Sequence, residues 1–233
     1  MGTVEGQVIE HATQSDKVKT SISAKEKAAF FVVNLGNIPL MSLLGGFLLI
    51  FYTDIVGLNP AMIGTLFLLS RVLDGINDPI MGYVIDHLPK TRMGRFRSYI
   101  IIGTVITTVV FLMMWLGPSI APTGKLAIAF ISYILFGFVF DLMDIPLNAM
   151  IPVMSAYDND RNILSNIKGI AYAVGGMVIY IVTIPVVSSF PTQRQGYHVL
   201  IIAASAFVLV FSIIGTLGIK ERVYPVSEEG YQF

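Results

Sequence analysis

Apolar residues in this chain are gathered into long runs instead of alternating or following one face of a helix. A helix needs about 20 apolar residues to cross the hydrocarbon core of a bilayer. Six stretches reach that length, and segments rich in Gly, Pro, Asn and Asp separate them. The stretches are residues 27–53, 60–86, 98–117, 124–150, 165–189 and 197–219. The pattern predicts an all-α membrane protein whose six transmembrane helices form one bundle.

The predicted bundle takes up residues 26–220, and polar segments flank it on both sides. Residues 1–25 are mixed in charge and lack the apolar core and small-residue cleavage site of a signal peptide. We expect them to form a disordered cytoplasmic arm. Residues 221–233 are again polar, and we expect a cytoplasmic tail or the start of a central loop there.

Composition agrees with a membrane protein and excludes several other classes. Hydrophobic residues make up 55% of the 233 positions and charged residues 13%, against about 25% charged in soluble domains. The formal net charge is zero, so nothing indicates a nucleic-acid partner. The sequence has no cysteine, which excludes disulfides and thiolate chemistry. The lipid bilayer is therefore the first partner that the sequence predicts.

Lysine and arginine are distributed unequally between the two sides of the predicted bundle. The side that holds both termini carries 11 of them in or next to its loops and terminal segments, and the opposite side carries only Lys125 and Arg194. Positive charge accumulates in the cytoplasmic loops of membrane proteins. We therefore predict a multi-pass protein of the cell (inner) membrane with both termini in the cytoplasm.

The second predicted helix carries charged residues within an apolar segment, where each charge costs free energy in the bilayer. Asp74 and Asp78 are four positions apart and share one helix face, which Arg71 also reaches. Asn77 adds a neutral oxygen ligand nearby. An alternative reading is that Arg71 and one aspartate form an ion pair that only locks two helices together.

The fourth predicted helix carries two more carboxylates on one face, Asp141 and Asp144. A charge at the bilayer centre costs about 2.5–3.5 kcal/mol on insertion scales. Four buried carboxylates must therefore pair, bind a cation, carry protons or line a wet cavity. Oxygen-rich clusters suit a hard cation, H⁺ or Na⁺, and crowded carboxylates share a proton. A plainer alternative is that Asp141 caps or solvates a helix kink before Pro146.

Residues 82–97 form a second charged motif, "GYVIDHLPKTRMGRFR", at the end of the second predicted helix. Gly82 permits the close approach of another helix, and Asp86 ends the helix before the basic residues Arg92 and Arg95. One interpretation is a topology signal alone. The other is a gate latch in which Asp86 pairs with a neighbouring helix end in one state and releases it in another.

Three further features have structural interpretations. Lys168, near the start of the fifth span, either extends to the membrane interface or reaches the acidic cluster. Trp115, near the outer end of the third span, is predicted to anchor that end at the interface. Pro146 and Pro152 are expected to kink the fourth helix around a cavity.

Two stretches then resemble a known family. They are "FYTDIVGLNPAMIGTLFLLSRVLDGINDPIMGYVIDHLPKTRMGRFRSYI" and "MDIPLNAMIPVMSAYDNDR", and their "YTD", "DxxNDPxMG", "TRxGRFR" and "DIP" pieces keep the family spacing. The chain resembles melibiose-carrier-like glycoside–pentoside–hexuronide:cation symporters of the major facilitator superfamily from about residue 25 to 222. Those are twelve-helix carriers of two six-helix halves. The resemblance covers the amino-terminal half, so we expect a fragment or half that needs a carboxy-terminal half or a second copy.

The resemblance implies two sets of site residues. Asp74, Asn77 and Asp78 would bind the cation, Na⁺ if a metal ion is used, together with the residue at position 141. Asp144 and Lys168 would contact sugar hydroxyls, and Arg71 would lie close to them in the substrate site.

Three positions depart from the family pattern. Asp141 stands where the melibiose carrier has a threonine, and the extra carboxylate favours proton coupling over sodium coupling. Asn148 takes the place of an aromatic residue that would stack on the sugar. Asn37 or Ile38 replaces an acidic sugar ligand of the first helix.

The predicted function is cation-coupled symport of a sugar or glycoside by alternating access, with no enzyme activity. No cofactor is predicted beyond the coupling ion. Two alternatives are a non-transporting membrane assembly or sensor protein derived from a carrier half, and an ion channel.

Overall fold

The computed structural model describes residues 22–223 apart from Leu88, Lys90 and Pro122. Six long helices account for most of that length. They are α1 (Ala24–Ile50, continued by a π-helical turn at Phe51–Ile55), α2 (Pro60–Asp86), α3 (Phe96–Ile120), α4 (Lys125–Met154), α5 (Asp158–Ser188) and α6 (Gln193–Gly218). Each predicted span coincides with one helix, which confirms the all-α class. The predicted arm at residues 1–25 and tail at residues 221–233 lie mostly outside the described residues.

Five of these helices are long and apolar enough to cross a membrane: α1 with its π-helical turn, α3, α4, α5 and α6. Helix α2 has 27 residues, which is sufficient length. However, Arg71, Asp74 and Asp78 lie within it and lower its hydropathy. The structure therefore supports five of the six predicted spans by length and composition, and the sixth stays a prediction.

Helix α5 begins at Asp158, seven positions earlier than its predicted span. The segment "YDNDRN" separates the fourth and fifth predicted spans and is rich in Asn and Asp, which predicts a turn there. Instead, Asp158 and Asp160 lie in the first turn of α5, where carboxylates are stabilised by the helix dipole. Helix α4 likewise continues through Pro146 and Pro152 as one element.

The bundle packs around two extensive interfaces, α3 against α4 and α1 against α6, with α5 beside α1 and α2 beside α4. Glycines let these backbones approach closely. A Cβ at Gly36 would lie 2.7 Å from the backbone nitrogen of Ser212, and one at Gly103 would lie 2.8 Å from the backbone of Leu142. Close helix contact at small residues is a common way to pack helices in membranes.

Trp115 lies inside the bundle, which corrects the prediction that it anchors α3 at the membrane interface. Its side chain is fully buried. Its ring centroid lies 4.9 Å from that of Phe51 and 6.0 Å from those of Phe111 and Tyr197. The position of Trp115 near the end of α3 predicts only its depth along the helix. Its side chain stands on the face of α3 that packs towards α1 and α6, so the ring is buried.

The basic loops and both described termini meet at one end of the bundle, here called the basic end. Residues 219–223, here called the strap, cross that end after α6. The Glu221 carboxylate accepts hydrogen bonds from the backbone N–H groups of Arg95, Phe96 and Arg97 at 2.8–2.9 Å. These N–H groups lie at the start of α3 and have no partner within the helix, so a carboxylate there caps it.

A second part of the strap connects α4 and α1. The backbone N–H groups of Arg222 and Val223 donate to the carbonyl of Val153 at 3.0 and 2.9 Å. The Arg222 guanidinium pairs with the buried carboxylate of Glu26 at 2.7 Å. Glu26 also forms a capping box with Ser23 at the start of α1. The strap therefore joins the ends of α1, α3, α4 and α6.

Candidate functional site

A cavity of about 220 Å³ lies between α1, α2 and α4. It brings together three of the four residues predicted to bind a cation, Asp74, Asp78 and Asp141, together with Arg71. The complete lining consists of Met41, Leu44, Ser70, Arg71, Asp74, Asp78, Tyr133, Phe136, Gly137, Phe140 and Asp141.

The fourth predicted residue, Asn77, connects this cavity to α4. Its side-chain nitrogen donates to Asp141 Oδ2 at 2.6 Å, so α2 and α4 are hydrogen-bonded at the site. Asn77 is buried, and its Oδ1 has no hydrogen-bond partner in the described structure. An unpaired buried acceptor is costly, and a bound donor or cation would satisfy it. Asp141 therefore joins two helices instead of only capping a kink before Pro146.

Arg71 and Asp74 form a loose ion pair on the same helix, with Nη1 and Oδ2 3.8 Å apart. Because both belong to α2, this pair does not lock two helices together, as one alternative supposed. The Arg71 side chain is 80% exposed, so water weakens the pair. Asp74 instead lies against the backbone of α4: a Cβ at Gly137 would be 3.2 Å from its Oδ1.

The carboxylates of the cavity are less buried than the sequence predicted. Asp78 is exposed, and Asp74 and Asp141 are half-buried. The physical reason is that α2 packs mainly against α4, which leaves much of its surface open. No group of three His, Asp or Glu side chains within the described ranges is close enough to hold a metal ion.

A second polar cluster surrounds Asp144 on the next turn of α4. Asn37 donates to Asp144 Oδ1 at 3.1 Å and Asn148 donates to Oδ2 at 2.8 Å. The Tyr172 hydroxyl lies 3.5 Å from Oδ1. Lys168 donates to Asn148 Oδ1, so its side chain points into this cluster instead of extending to the interface.

The predicted substrate residues are thus divided between two places. Asp144, Asn148 and Lys168 meet in the second cluster, whereas Arg71 lies in the cation cavity. Sequence reasoning missed Tyr172. The available signal was its position one helical turn after Lys168, which places both on the same face of α5.

The predicted gating residues occupy the basic end. The Arg95 guanidinium donates to the carbonyl of Ile85 at 3.3 Å, and Arg92 is exposed. Asp86 ends α2 as expected, but its side chain lies outside the described atoms. No described atom outside its own helix lies within 4 Å of a Cβ placed on Gly82, so the expected close helix contact is absent within this part of the chain. The latch stays a prediction.

Comparison with known proteins agrees with these features. The family model described as MFS/sugar transport protein matches residues 30–231. An uncharacterized symporter of Bacillus subtilis (strain 168) is 29% identical over 210 residues, which is 90% of this chain and 46% of that protein. The isoprimeverose transporter of Lactiplantibacillus pentosus is 27% identical over 192 residues, 81% of this chain and 40% of its own length.

The lactose permease of Lactobacillus helveticus is 27% identical over 216 residues, 84% of this chain and 34% of that protein. The chain spans less than half the length of these relatives and matches their amino-terminal halves. Sequence, fold and family model agree: the chain belongs to the MFS/sugar transport proteins, a family of membrane transporters and not of enzymes.

Proposed function

We propose that this chain is the amino-terminal bundle of a carrier that moves a sugar or glycoside across the cell membrane together with protons. Both termini of the bundle face the cytoplasm. The observation that carries the proposal is the partly buried hydrogen bond between Asn77 and Asp141, which joins α2 to α4 beside a cavity that also holds Asp74 and Asp78.

The charge balance of the cavity supports a bound proton. Asp74, Asp78 and Asp141 face one guanidinium, that of Arg71, so the cavity has an excess of negative charge. A proton needs only one carboxylate, and crowded carboxylates commonly share one. Asp141 adds a carboxylate to the cavity that holds Asp74 and Asp78, and this extra acceptor favours H⁺ over Na⁺.

Helix α4 provides the coupling between ion and substrate. Asp141 and Asp144 are three positions apart and lie on neighbouring turns. Proton binding at Asp141 changes its attraction to the Asn77 amide, and the same helix segment holds Asp144. In the second cluster, Asp144 accepts from sugar hydroxyls and Lys168 donates to them. The opposite wall of the substrate site comes from a carboxy-terminal half or a second copy, and the two bodies rock around the substrate.

Transport by vesicles tests the proposal. The protein expressed from its complete coding sequence is reconstituted, and isoprimeverose or lactose is added in sodium-free buffer. We expect uptake to alkalinise the medium, because protons enter with the sugar. Asp141→Thr should reduce proton movement about tenfold or more and make uptake respond to Na⁺, since a neutral hydroxyl replaces the extra carboxylate.

Asp158→Asn is the matched control. It removes a carboxylate whose side chain is 92% exposed at the basic end, and proton movement should not change. Absolute dependence on sodium with no proton movement would contradict proton coupling. Absence of sugar uptake in any buffer would contradict the proposed function itself.

A further inference from the structure

We propose that Tyr172 is a specificity-determining residue, whose ring forms the flat wall on which the nonpolar face of a cyclic sugar packs. The inference rests on the proposed function and deepens it by naming a residue that would select a cyclic sugar, which has a nonpolar C–H face and hydroxyl groups along its edge, over an acyclic polyol.

The position of Tyr172 carries the first part of the argument. Its ring stands one turn after Lys168 on α5, and the Lys168 ammonium lies 5.3 Å from the ring centroid. Its hydroxyl lies 3.5 Å from Asp144 Oδ1. The residue is 37% exposed, so one part of the ring is held by the cluster and the rest is open to a ligand.

An unpaired acceptor provides a second, independent observation. Asn37 is 2% exposed and donates its side-chain N–H to Asp144, yet its Oδ1 has no hydrogen-bond partner in the described structure. A buried acceptor without a donor costs free energy. A ligand hydroxyl could satisfy this oxygen by donating to it, and the same hydroxyl keeps its lone pairs for another donor.

Among the side chains of this cluster, Tyr172 is the one that can make an apolar contact with the sugar. Asn148 uses both ends of its amide, donating to Asp144 and accepting from Lys168. Of the three side chains that donate to Asp144 within the described residues, only Tyr172 has a ring. Ligand sites combine aromatic walls with a few placed polar groups, and this cluster has both. An acyclic polyol would use the polar groups but gain little from the ring.

The test compares half-saturating substrate concentrations in vesicles that contain the protein from its complete coding sequence, with labelled isoprimeverose and lactose as probes. Tyr172→Leu should raise the half-saturating concentration about tenfold, because the ring contact is lost. Tyr172→Phe keeps the ring and should change it less than about threefold. A merely structural role would lower the maximal rate or the amount of protein in the membrane and leave half-saturation unchanged.

Tyr180→Leu is the matched control on the same helix. Tyr180 is 51% exposed, and its ring packs on Phe47 with a centroid distance of 5.6 Å. Its loss should leave half-saturation unchanged. If Tyr172→Leu does not reach the membrane, Tyr172→Trp is the deciding variant. Its larger ring extends the aromatic wall and should change the half-saturating substrate concentration.

The outcomes separate the two proposals. Unchanged half-saturation in Tyr172→Leu, or in Tyr172→Trp where that variant decides, overturns the inference and leaves the proposed function intact. Equal losses in Tyr172→Leu and Tyr172→Phe show that the hydroxyl acts instead of the ring and also overturn it. If the unmodified protein takes up neither sugar, the proposed function fails and this inference fails with it.

Discussion

At the scale of single residues, two asparagines are used in the same way. Asn77 from α2 donates to Asp141, and Asn37 from α1 donates to Asp144. Both amides are buried, and both have an oxygen without a hydrogen-bond partner among the described atoms. Helix α4 therefore receives one amide from each neighbour on adjacent turns, and each amide has one oxygen unpaired in the described structure. This repetition links the cavity beside Asp74 and the cluster around Asp144 through a single helix.

The contact between Asp74 and Gly137 gives a prediction at this scale. In Gly137→Ala, the new methyl group would lie 3.2 Å from Asp74 Oδ1, which is tighter than most contacts of a Cβ atom. The carboxylate must move, so we expect the half-saturating concentration of the coupling ion to rise about threefold to tenfold. Ion-dependent sugar uptake by vesicles measures this change.

Gly64→Ala is the control for that variant. It makes the same change within a helix, so the gain in helix propensity of about 1 kcal/mol is shared. A Cβ at Gly64 meets nothing within 4 Å in the described structure. If the two variants have equal ion dependence, the Asp74 carboxylate does not depend on its contact with α4.

Spacing along the chain predicted part of this site and could not predict the rest. Helical periodicity places Asp74 beside Asp78 and Asp141 beside Asp144, because such pairs lie on one helix. The contacts of Asn37 and Tyr172 with Asp144 join different helices, and no spacing encodes which helices are neighbours. The face that a residue occupies is equally hidden in a uniformly apolar run, which is why Trp115 was predicted at the interface.

At the scale of elements, the start of α3 depends on a residue from beyond the last helix. Glu221 accepts three backbone hydrogen bonds that α3 cannot satisfy internally. No pattern in the chain indicates this cap, because the polar segment "KERVY" is typical of the beginning of a tail. Helix capping by a carboxylate from a distant segment requires the fold before it can be recognised.

Glu221→Ala should therefore destabilise the bundle by about 2 kcal/mol, which is the upper range for the loss of a helix cap. Trp115 is the only tryptophan in the chain and is fully buried, so its fluorescence reports unfolding in detergent micelles. Lys220→Ala changes an exposed neighbour and should cost less than about 0.5 kcal/mol. Equal stability of the two variants would show that water caps α3 as well as Glu221 does.

At the scale of the whole molecule, hydrophobic runs predicted the number and order of helices because a bilayer requires long apolar segments. These runs could not predict which helix faces pack against a neighbouring helix and which stay exposed. Helix α2 has an exposed apolar stripe at Leu68, Val72 and Ile76, which are 58–69% exposed. This stripe repeats every four residues, so one face of α2 is left without a partner within the described chain.

The separation of charge between the two ends gives a prediction for the whole molecule. The 233 residues contain no cysteine, so single cysteines can be placed without background labelling. Asn159→Cys lies exposed at the basic end and Thr123→Cys lies exposed at the opposite end. With a membrane-impermeant thiol reagent and intact cells, only Thr123→Cys should react, because basic loops stay in the cytoplasm. Labelling of Asn159→Cys from outside would reverse the orientation.

The strap has a mechanical consequence. A polypeptide attached to one helix can tilt that helix independently of its neighbours. Here the strap, at residues 219–223, follows α6 and is also bonded to the ends of α1, α3 and α4. A pull on the strap is therefore distributed over the ends of four helices instead of acting on α6 alone.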